Sequence, residues 1–280
     1  MRKINTSEIA EAVKEMIFES SFCMPNELAA KFDDLIAAET NQLAAETLAV
    51  LKENGRIAET ERLPLCQDCG SVIIFLEIGQ DAALVGENIS AALNSAVTQA
   101  YTEFYLRKSI VGDPLRRTNT GTNTPASIHM EIVTGNSVRV RVYLKGGGSE
   151  NMSSLKMFNP TAKPEAIIDY IEETVIAAGP NPCPPIFLGV GIGGSADTAA
   201  KNAKTAIFRG INSKHPDPFY AEMEERITDR LNKSGVGVMG FGGRSTAAGV
   251  YIKEAPAHIA SLPVALNMNC HSLRYGTREL

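Results

Sequence analysis

Two cysteines stand three residues apart in the segment LCQDCG, residues 65–70, directly before an apolar run. A structural zinc site usually takes four ligands as two close pairs, but no second close pair accompanies Cys66 and Cys69. A thioredoxin-like redox pair opens a helix behind a strand, whereas the predicted strand SVIIFLEIG follows these cysteines. The pair by itself therefore favours neither zinc binding nor thiol–disulfide exchange, and it leaves buried thiols or one part of a distributed site.

The chain has five cysteines, at positions 23, 66, 69, 183 and 270. In a reducing compartment an odd, scattered set favours free thiols or metal ligands over disulfides. Only Cys23 has mainly core-like neighbours, whereas Cys66, Cys183 and Cys270 each stand in a turn-like segment. Three such cysteines can hold an iron–sulfur cubane whose remaining iron is open to substrate as a Lewis acid. From spacing alone, this interpretation ranks level with three unrelated thiols.

Two glycine-rich segments are further candidates for binding. Gly189, Gly191 and Gly194 match G-x-G-x-x-G, but the second strand with a terminal acidic residue that a nucleotide-binding Rossmann unit needs does not follow. Tight packing of a helix on a strand accounts for these glycines at least as well as anion binding. In YLKGGGSENMS, residues 143–153, three successive glycines are expected where only bare backbone fits against a ligand or another chain, which makes Gly148 a candidate for substrate binding.

Charged side chains could hold carboxylates or move protons. A guanidinium makes paired hydrogen bonds to a carboxylate, and the candidates are Arg107, Arg116, Arg117, Arg244 and Arg274. His215 in SKHPDP is best explained as a surface or structural group. His258 precedes Cys270 in the chain, and a turn could return it to the same end of the sheet.

The periodicity of the apolar residues predicts a mixed α/β fold. From Thr6 to about Gly55 it indicates two or three packed helices with a stop at Asn54–Gly55. A buried strand, a helix that ends at Arg107 and Lys108, and a hairpin of SIHMEIV and SVRVRVYLK are predicted next. Helices at 163–178, 195–209 and 217–235 alternate with strands in PPIFLGVGI, GVGVMGF, AAGVYIKE and PVALNM. We expect one domain, residues 1–280, with a helical N-terminal layer (1–62) packed on a mixed-sheet αβ core (63–280).

The composition is that of a globular protein, with 44% hydrophobic and 21% charged residues in 280. A formal net charge of −5 disfavours nucleic acid and anionic membranes as main partners. The N-terminal segment lacks the apolar core of a signal peptide, and no stretch reaches the length of a membrane span. We therefore expect a cytoplasmic protein.

Taken together, these motifs resemble the iron–sulfur-dependent class I fumarate hydratase and tartrate dehydratase family, specifically the α subunit of its two-subunit members. The resemblance runs nearly end to end through LCQDCG, LRKSIVGDPLRRTNTGTNTPASIH, KGGGSENMS, NPCPPIFLGVGIGG, HPDP and HIASLPVALNMNCHSLR. It implies a hydro-lyase that interconverts fumarate and (S)-malate, with tartrate dehydration as the close alternative. GGGSENMS is more similar to the fumarate branch.

The resemblance also assigns residues. It implies that Cys66, Cys183 and Cys270 bind a [4Fe–4S] cluster, and that Asp68 and His258 act in catalysis, His258 in the site of a neighbouring protomer. It places Gln67 and Arg107 at the substrate carboxylates, beside Gly148. Cys69 stands where the family usually has threonine, which indicates a small buried substitute, although a fourth thiolate there would compete for the open iron.

The resemblance further implies a missing half of the site. Single-chain relatives have a second domain that completes it, so we expect this chain to work only with a separate β subunit, in a hetero-oligomer that contains an α dimer. Two other classes stay open: a cluster-binding paralogue without catalysis, and a nucleotide-binding module based on the weak glycine motif.

Overall fold

A computed structural model describes residues 1–280 and confirms a mixed α/β fold. The chain divides into two compact units. Unit 1 comprises Met1–Met24, Gly55–Gly147 and Arg274–Leu280, and unit 2 comprises Pro25–Asn54 and Gly148–Leu273. The assignment of residues 1–62 as one layer of a single domain stays a prediction. None of the helices combines the length and the apolar character that crossing a bilayer requires.

The helices and strands follow one another in this order: β1 (Arg2–Asn5), α1 (Thr6–Phe22), α2 (Asn26–Ala38), α3 (Gln42–Glu61), β2 (Ser71–Gly79), β3 (Ala82–Val85), α4 (Ile89–Glu103), β4 (Ser127–Val133), β5 (Val138–Lys145), α5 (Gly147–Glu150), β6 (Ser154–Phe158), α6 (Pro164–Ala178), β7 (Ile186–Gly193), α7 (Ala196–Thr205), α8 (Pro218–Lys233), β8 (Ala247–Ala255), β9 (Leu262–Asn269) and β10 (Tyr275–Glu279).

The predicted N-terminal helices are confirmed, but the predicted stop at Asn54–Gly55 is wrong. Helix α3 continues through Gly55 to Glu61. A Cβ on Gly55 would lie 2.5 Å from Cε of Met24, so glycine at this position lets the Met24 side chain pack directly against helix α3. The predicted end of the next helix is also wrong, because α4 ends at Glu103 and Tyr105 adopts a left-handed φ of 55°.

A four-stranded sheet with the order β10-β5-β2-β4 forms the centre of unit 1. The residues of β2 from Val72 to Leu76 are buried, which suits a central strand, and α1 and α4 contribute to the same apolar core. The predicted hairpin of β4 and β5 is wrong: β2 lies between these strands, parallel to β4 and antiparallel to β5. Because the turn after β4 packs tightly against the end of β2, a Cβ on Gly79 would lie 2.5 Å from the carbonyl oxygen of Gly135.

A second four-stranded sheet, with the order β6-β9-β7-β8, forms the centre of unit 2. Strand β7 runs parallel to β8 and antiparallel to β9, and helices α6 and α8 share an apolar core with these strands. The predicted strand in GVGVMGF is wrong. Residues Val238–Gly240 form a 3₁₀ turn there, preceded by Gly237 in a left-handed conformation.

The G-x-G-x-x-G segment serves packing within unit 2. Gly189 and Gly191 lie inside β7, where a Cβ would stand 1.9 Å from the carbonyl oxygens of Ala203 and Ala199 respectively. Side chains at these positions would separate α7 from the strand. The packing explanation is confirmed, and the backbone of both glycines belongs to the sheet ladder and not to a phosphate-binding turn.

Candidate active site

The carboxylate of Asp68 is fixed by two backbone amides of unit 1. Asp68 lies in the turn between α3 and β2, where its Oδ1 accepts the N–H of Gly70 at 2.9 Å. Its Oδ2 accepts the N–H of Gly147 at 2.7 Å, in the glycine segment of residues 146–148. Because each oxygen accepts one of these amides, each keeps a lone pair for a proton or a substrate group. The side chain is half-buried.

Cys69 is a structural thiol in the apolar core of unit 1. It is 2% exposed, its Sγ accepts the backbone N–H of Arg107 at 3.1 Å, and its own S–H donates to the carbonyl of Cys66 at 3.8 Å. Burial raises the pKa of the Cys69 thiol, against the opposing effects of the Arg107 amide and the Arg274 charge. Cys69 thus joins the backbone of Arg107 to the Cys66 turn, while the Arg107 side chain is exposed.

Two buried side chains that the sequence did not single out hold the same turn. The hydroxyl of Tyr101 donates to the carbonyl of Cys69 at 2.8 Å and lies 3.0 Å from that of Gly70. Asn123 donates from Nδ2 to the Gly70 carbonyl at 3.1 Å, and its Oδ1 accepts the N–H of Ser109 at 2.7 Å. Burial raises the pKa of the Tyr101 hydroxyl, which therefore stays a donor. The left-handed φ of 60° at Asn123 suits asparagine and gives a weak sequence signal in NTGTNTP.

Cys66 and Gln67 occupy the accessible part of this turn. The Cys66 thiol is half-buried and lies 3.5 Å from Oε1 of the exposed Gln67. Unit 1 therefore brings four predicted site residues onto one turn and the segment next to it: Cys66, Gln67, Asp68 and Arg107.

Unit 2 brings together three further predicted site residues. The backbone N–H of His271, next to Cys270, donates to the carbonyl of Cys183 at 3.1 Å. A Cβ on Gly148 would lie 3.2 Å from the carbonyl oxygen of Asn181, two residues before Cys183. Cys183 precedes β7 and Cys270 follows the antiparallel β9, so Gly148, Cys183 and Cys270 lie at one end of the unit 2 sheet.

A polar network supports this end of the unit 2 sheet. Lys204 on α7 contacts both carboxylate oxygens of Glu150, at 2.6 and 2.7 Å, and Oδ1 of Asn267 at 3.4 Å. Asn267 donates to Oδ1 of Asn269 at 3.1 Å, and Asn269 donates to the carbonyl of Phe187 at 2.8 Å. The network joins the glycine segment to the residue before Cys270.

His258 does not lie at this end of the sheet. It stands in an exposed turn between β8 and β9, where its Nδ1 accepts the N–H of Ala260 at 3.1 Å. Strand β9 has eight residues, about 25 Å of extended chain, between that turn and Cys270. The expectation that a turn returns His258 to the Cys270 end is therefore wrong, and its role in a neighbouring protomer stays a prediction.

The remaining arginine and histidine candidates differ in burial. Arg116 and Arg117 are exposed in the loop after α4, and the backbone N–H of Arg244 binds the carboxylate of Glu39. Arg274 is 2% exposed in unit 1. His215 is buried and bonded to Glu254 and to the backbone of Asp217, as expected of a structural group.

The cysteines present fit an iron–sulfur cubane. Cys66, Cys183 and Cys270 are half-buried cysteines outside the helices and strands and form no disulfide, and their thiols are the donor type that such clusters take. Ser272, two residues after Cys270, has a buried hydroxyl without a hydrogen-bond partner, and the sulfurs of such a cluster accept hydrogen bonds. No group of three or more His, Cys, Asp or Glu side chains surrounds a single-ion site, but a cubane takes its thiolates on different irons.

Comparison with known proteins identifies the family. The family model described as Fumarate hydratase (Fumerase) matches residues 10–279. A Methanocaldococcus jannaschii protein named "Putative L(+)-tartrate dehydratase subunit alpha" is 36% identical over 279 residues, which cover 98% of each chain. The L(+)-tartrate dehydratase subunit alpha of Escherichia coli K12 is 32% identical over 275 residues, which cover 97% of this chain and 90% of the relative. The chain therefore belongs to the class I fumarate hydratase family and is a hydro-lyase.

Proposed function

We propose that this chain is the α subunit of a two-subunit hydro-lyase that interconverts fumarate and (S)-malate. A [4Fe–4S] cluster held by Cys66, Cys183 and Cys270 is its proposed cofactor. The observation that carries the proposal is the arrangement of unit 2, where Gly148 and the segments of Cys183 and Cys270 meet at one end of a sheet. Two thiols and a bare backbone segment are thereby presented together.

Dehydration of malate removes a proton from C3 and a hydroxyl group from C2. When bound, the cluster supplies Lewis-acid chemistry for the C2 hydroxyl at its open iron. Asp68 and His258 are the proposed acid–base pair, and Asp68 suits proton transfer because two amides hold its carboxylate in one orientation. The exposed side chains of Arg107 and Gln67 bind and orient the substrate carboxylates, beside the backbone of Gly148.

Other subunits complete the proposed site. Relatives at 32–36% identity are named as subunit alpha, which supports a separate β subunit for this chain. The separation of His258 from Cys270 within unit 2 supports its use in a neighbouring α protomer of a dimer. A cytoplasmic location stays a prediction.

Tartrate dehydration is the second candidate. The relatives reported above are named for L(+)-tartrate, whereas the GGGSENMS segment favours fumarate. Both reactions remove water from a hydroxylated four-carbon dicarboxylate, so the same residues serve either substrate.

The test is to purify the chain without oxygen, alone and co-expressed with a β subunit of the same family. We expect about four iron atoms and four sulfides per α chain, with fumarate hydration by the complex only. Tartrate dehydration in the absence of fumarate hydration would move the assignment to the second candidate. A filled cluster without turnover in the complex would indicate a non-catalytic paralogue, and zinc without sulfide would contradict the cluster.

A further inference from the structure

Arg274 is a buried cation in unit 1 that the proposed chemistry does not use. It directly precedes β10, and its carbonyl accepts the N–H of Leu144 at 3.0 Å. Its side chain belongs to a residue that is 2% exposed, its Nε has no hydrogen-bond partner, and it forms no ion pair. A buried charge of this kind is costly unless a group of opposite charge compensates it, so a nearby anion is expected.

Asp68 is a candidate for this anion. A Cβ on Gly146 would lie 3.3 Å from Oδ2 of Asp68 and 3.6 Å from Nη2 of Arg274. The carboxylate and the guanidinium therefore both lie next to the position that a side chain at Gly146 would take. Oδ2 is also the oxygen that accepts the Gly147 amide.

Two other groups near the Arg274 charge, Cys69 and Tyr101, are neutral. Cys69 and Tyr101 both interact electrostatically with the Arg274 charge. Each of them donates a hydrogen bond to a backbone carbonyl and therefore carries its proton. Unlike these two groups, Asp68 has a carboxylate that can balance the charge of the guanidinium.

We propose that Arg274 is a positioning residue whose buried charge holds the Asp68 carboxylate in the orientation set by the Gly70 and Gly147 amides. The inference rests on the proposed function, in which Asp68 transfers a proton, and it adds a residue to it. In a partly desolvated setting the attraction between two such charges is stronger than in water, so loss of the charge should let the carboxylate turn away.

The first test measures coupling in the full-length α chain without substrate. Thermal unfolding is compared for wild type, Asp68→Asn, Arg274→Met and the double variant. We expect Asp68→Asn to lower Tm by about 5 °C while Arg274 is present, because it leaves a buried charge uncompensated, and by less than half as much in the Arg274→Met background.

The control is Arg278→Met, the same substitution further along the strand. Arg278 is partly exposed and pairs with Glu19, so its effect should add to that of Asp68→Asn. Additive shifts for Arg274→Met and Asp68→Asn would overturn the proposal. If Arg274→Met does not fold, Arg274→Lys and Gly146→Ala replace it in the experiment. Arg274→Lys retains the charge and should preserve Tm. Gly146→Ala places a methyl group 3.3 Å from Oδ2 of Asp68 and should reduce the coupling.

The second test measures kinetics of the cluster-loaded complex with the β subunit. For Arg274→Met we expect kcat to fall about 10- to 100-fold, with KM and iron content nearly unchanged and a larger isotope effect with C3-deuterated malate. Arg274→Lys should restore most of the rate, and the loss should disappear in the Asp68→Asn background.

A rise in KM at constant kcat would overturn the proposal, because it would mean that Arg274 binds a substrate carboxylate. A complex that is inactive as wild type would contradict the proposed function instead. In that case the unfolding cycle still decides whether Arg274 and Asp68 are coupled.

Discussion

The turn at residues 66–70 in unit 1 and the turns at Cys183 and Cys270 in unit 2 keep their shapes by different means. In unit 1, buried side chains hold the backbone: Tyr101 and Asn123 bind its carbonyls, and Cys69 binds the Arg107 amide. In unit 2, the backbone N–H of His271 donates to the Cys183 carbonyl, its ring Nδ1 lies 3.1 Å from the same oxygen, and the two turns extend from adjacent strands of one sheet. The unit 1 turn should therefore respond most to loss of single side-chain groups, and the unit 2 turns, which side chains also support, should respond most to changes in the packing of their strands.

The largest expected effect would be the same in both regions. We expect most of the iron and sulfide to be lost in each of three variants: Cys66→Ser in unit 1, and Cys183→Ser and Cys270→Ser in unit 2. The hydratase activity of each should fall by more than about 100-fold, because serine does not replace a thiolate ligand. Metal analysis and assay of the anaerobic complex check this. Cys23→Ser is the control and should keep the cluster; full iron content in any of the three variants would show that its cysteine is not a ligand.

Asp68→Asn should separate chemistry from cluster binding in the unit 1 turn. Loss of an acid–base group lowers kcat about 100- to 10,000-fold, while iron and sulfide should stay at the wild-type level. The control is Asp113→Asn, since Asp113 also accepts two backbone amides, those of Leu115 and Arg116, but lies in an exposed loop. Wild-type turnover in Asp68→Asn would rule out its acid–base role.

Gly191→Ala tests the dependence of unit 2 on backbone packing. The added Cβ would meet the carbonyl oxygen of Ala199 at 1.9 Å, so α7 or β7 must move, at a cost of about 3 kcal/mol in the free energy of unfolding. Denaturant unfolding measures the loss. Gly112→Ala, where the nearest heavy atom is 3.8 Å away, should change stability by less than about 0.5 kcal/mol; equal effects at both positions would contradict the comparison.

Tyr101→Phe tests the dependence of unit 1 on single side-chain groups. Removal of the hydroxyl leaves the carbonyls of Cys69 and Gly70 with one donor fewer and should cost about 2 kcal/mol. The free energy of unfolding and the iron content are the measurements. Tyr105→Phe is the matched control, because Tyr105 is 92% exposed. An unchanged stability for Tyr101→Phe would show that the turn does not need this donor.

Cys69→Thr should have the smallest effect. A threonine hydroxyl can accept the Arg107 amide and donate to the Cys66 carbonyl, as the thiol does, so we expect less than about 1 kcal/mol of destabilisation and unchanged iron. The valine of Cys69→Val can neither accept the Arg107 amide nor donate to the Cys66 carbonyl, so this variant should lose more stability. Loss of the cluster in Cys69→Thr would instead identify Cys69 as a ligand.

Periodicity predicted elements better than it predicted their partners. The apolar spacing of α6 and the β-branched run of β2 identified both elements, because each pattern reflects one buried face or one buried strand. It did not predict that β2 lies between β4 and β5, since strand order depends on which strand is buried on both faces. Short strands such as β10 were missed because five residues carry too little pattern.

Some residues of the candidate site could be predicted from the sequence because of their residue type and not because of periodicity. Cys66, Cys183 and Cys270 stood out because cysteines in turns are unusual, whereas Tyr101 and Asn123 resemble ordinary core and turn residues. Their hydrogen bonds to the Cys69 and Gly70 carbonyls arise only when distant segments meet. The position of His258 was misjudged because the length of β9 places it at the far end of the sheet.

The position of β10 in the sheet affects how the protein behaves while it is being synthesised. Its residues pair with β5, yet the segment Gly148–Leu273, most of unit 2, is translated between these two strands. While that segment emerges from the ribosome, β5 has an edge without its final neighbour, and such an edge can pair with another chain. Nascent chains that stall before Tyr275 should therefore be the form of this protein most prone to aggregate and most dependent on chaperones.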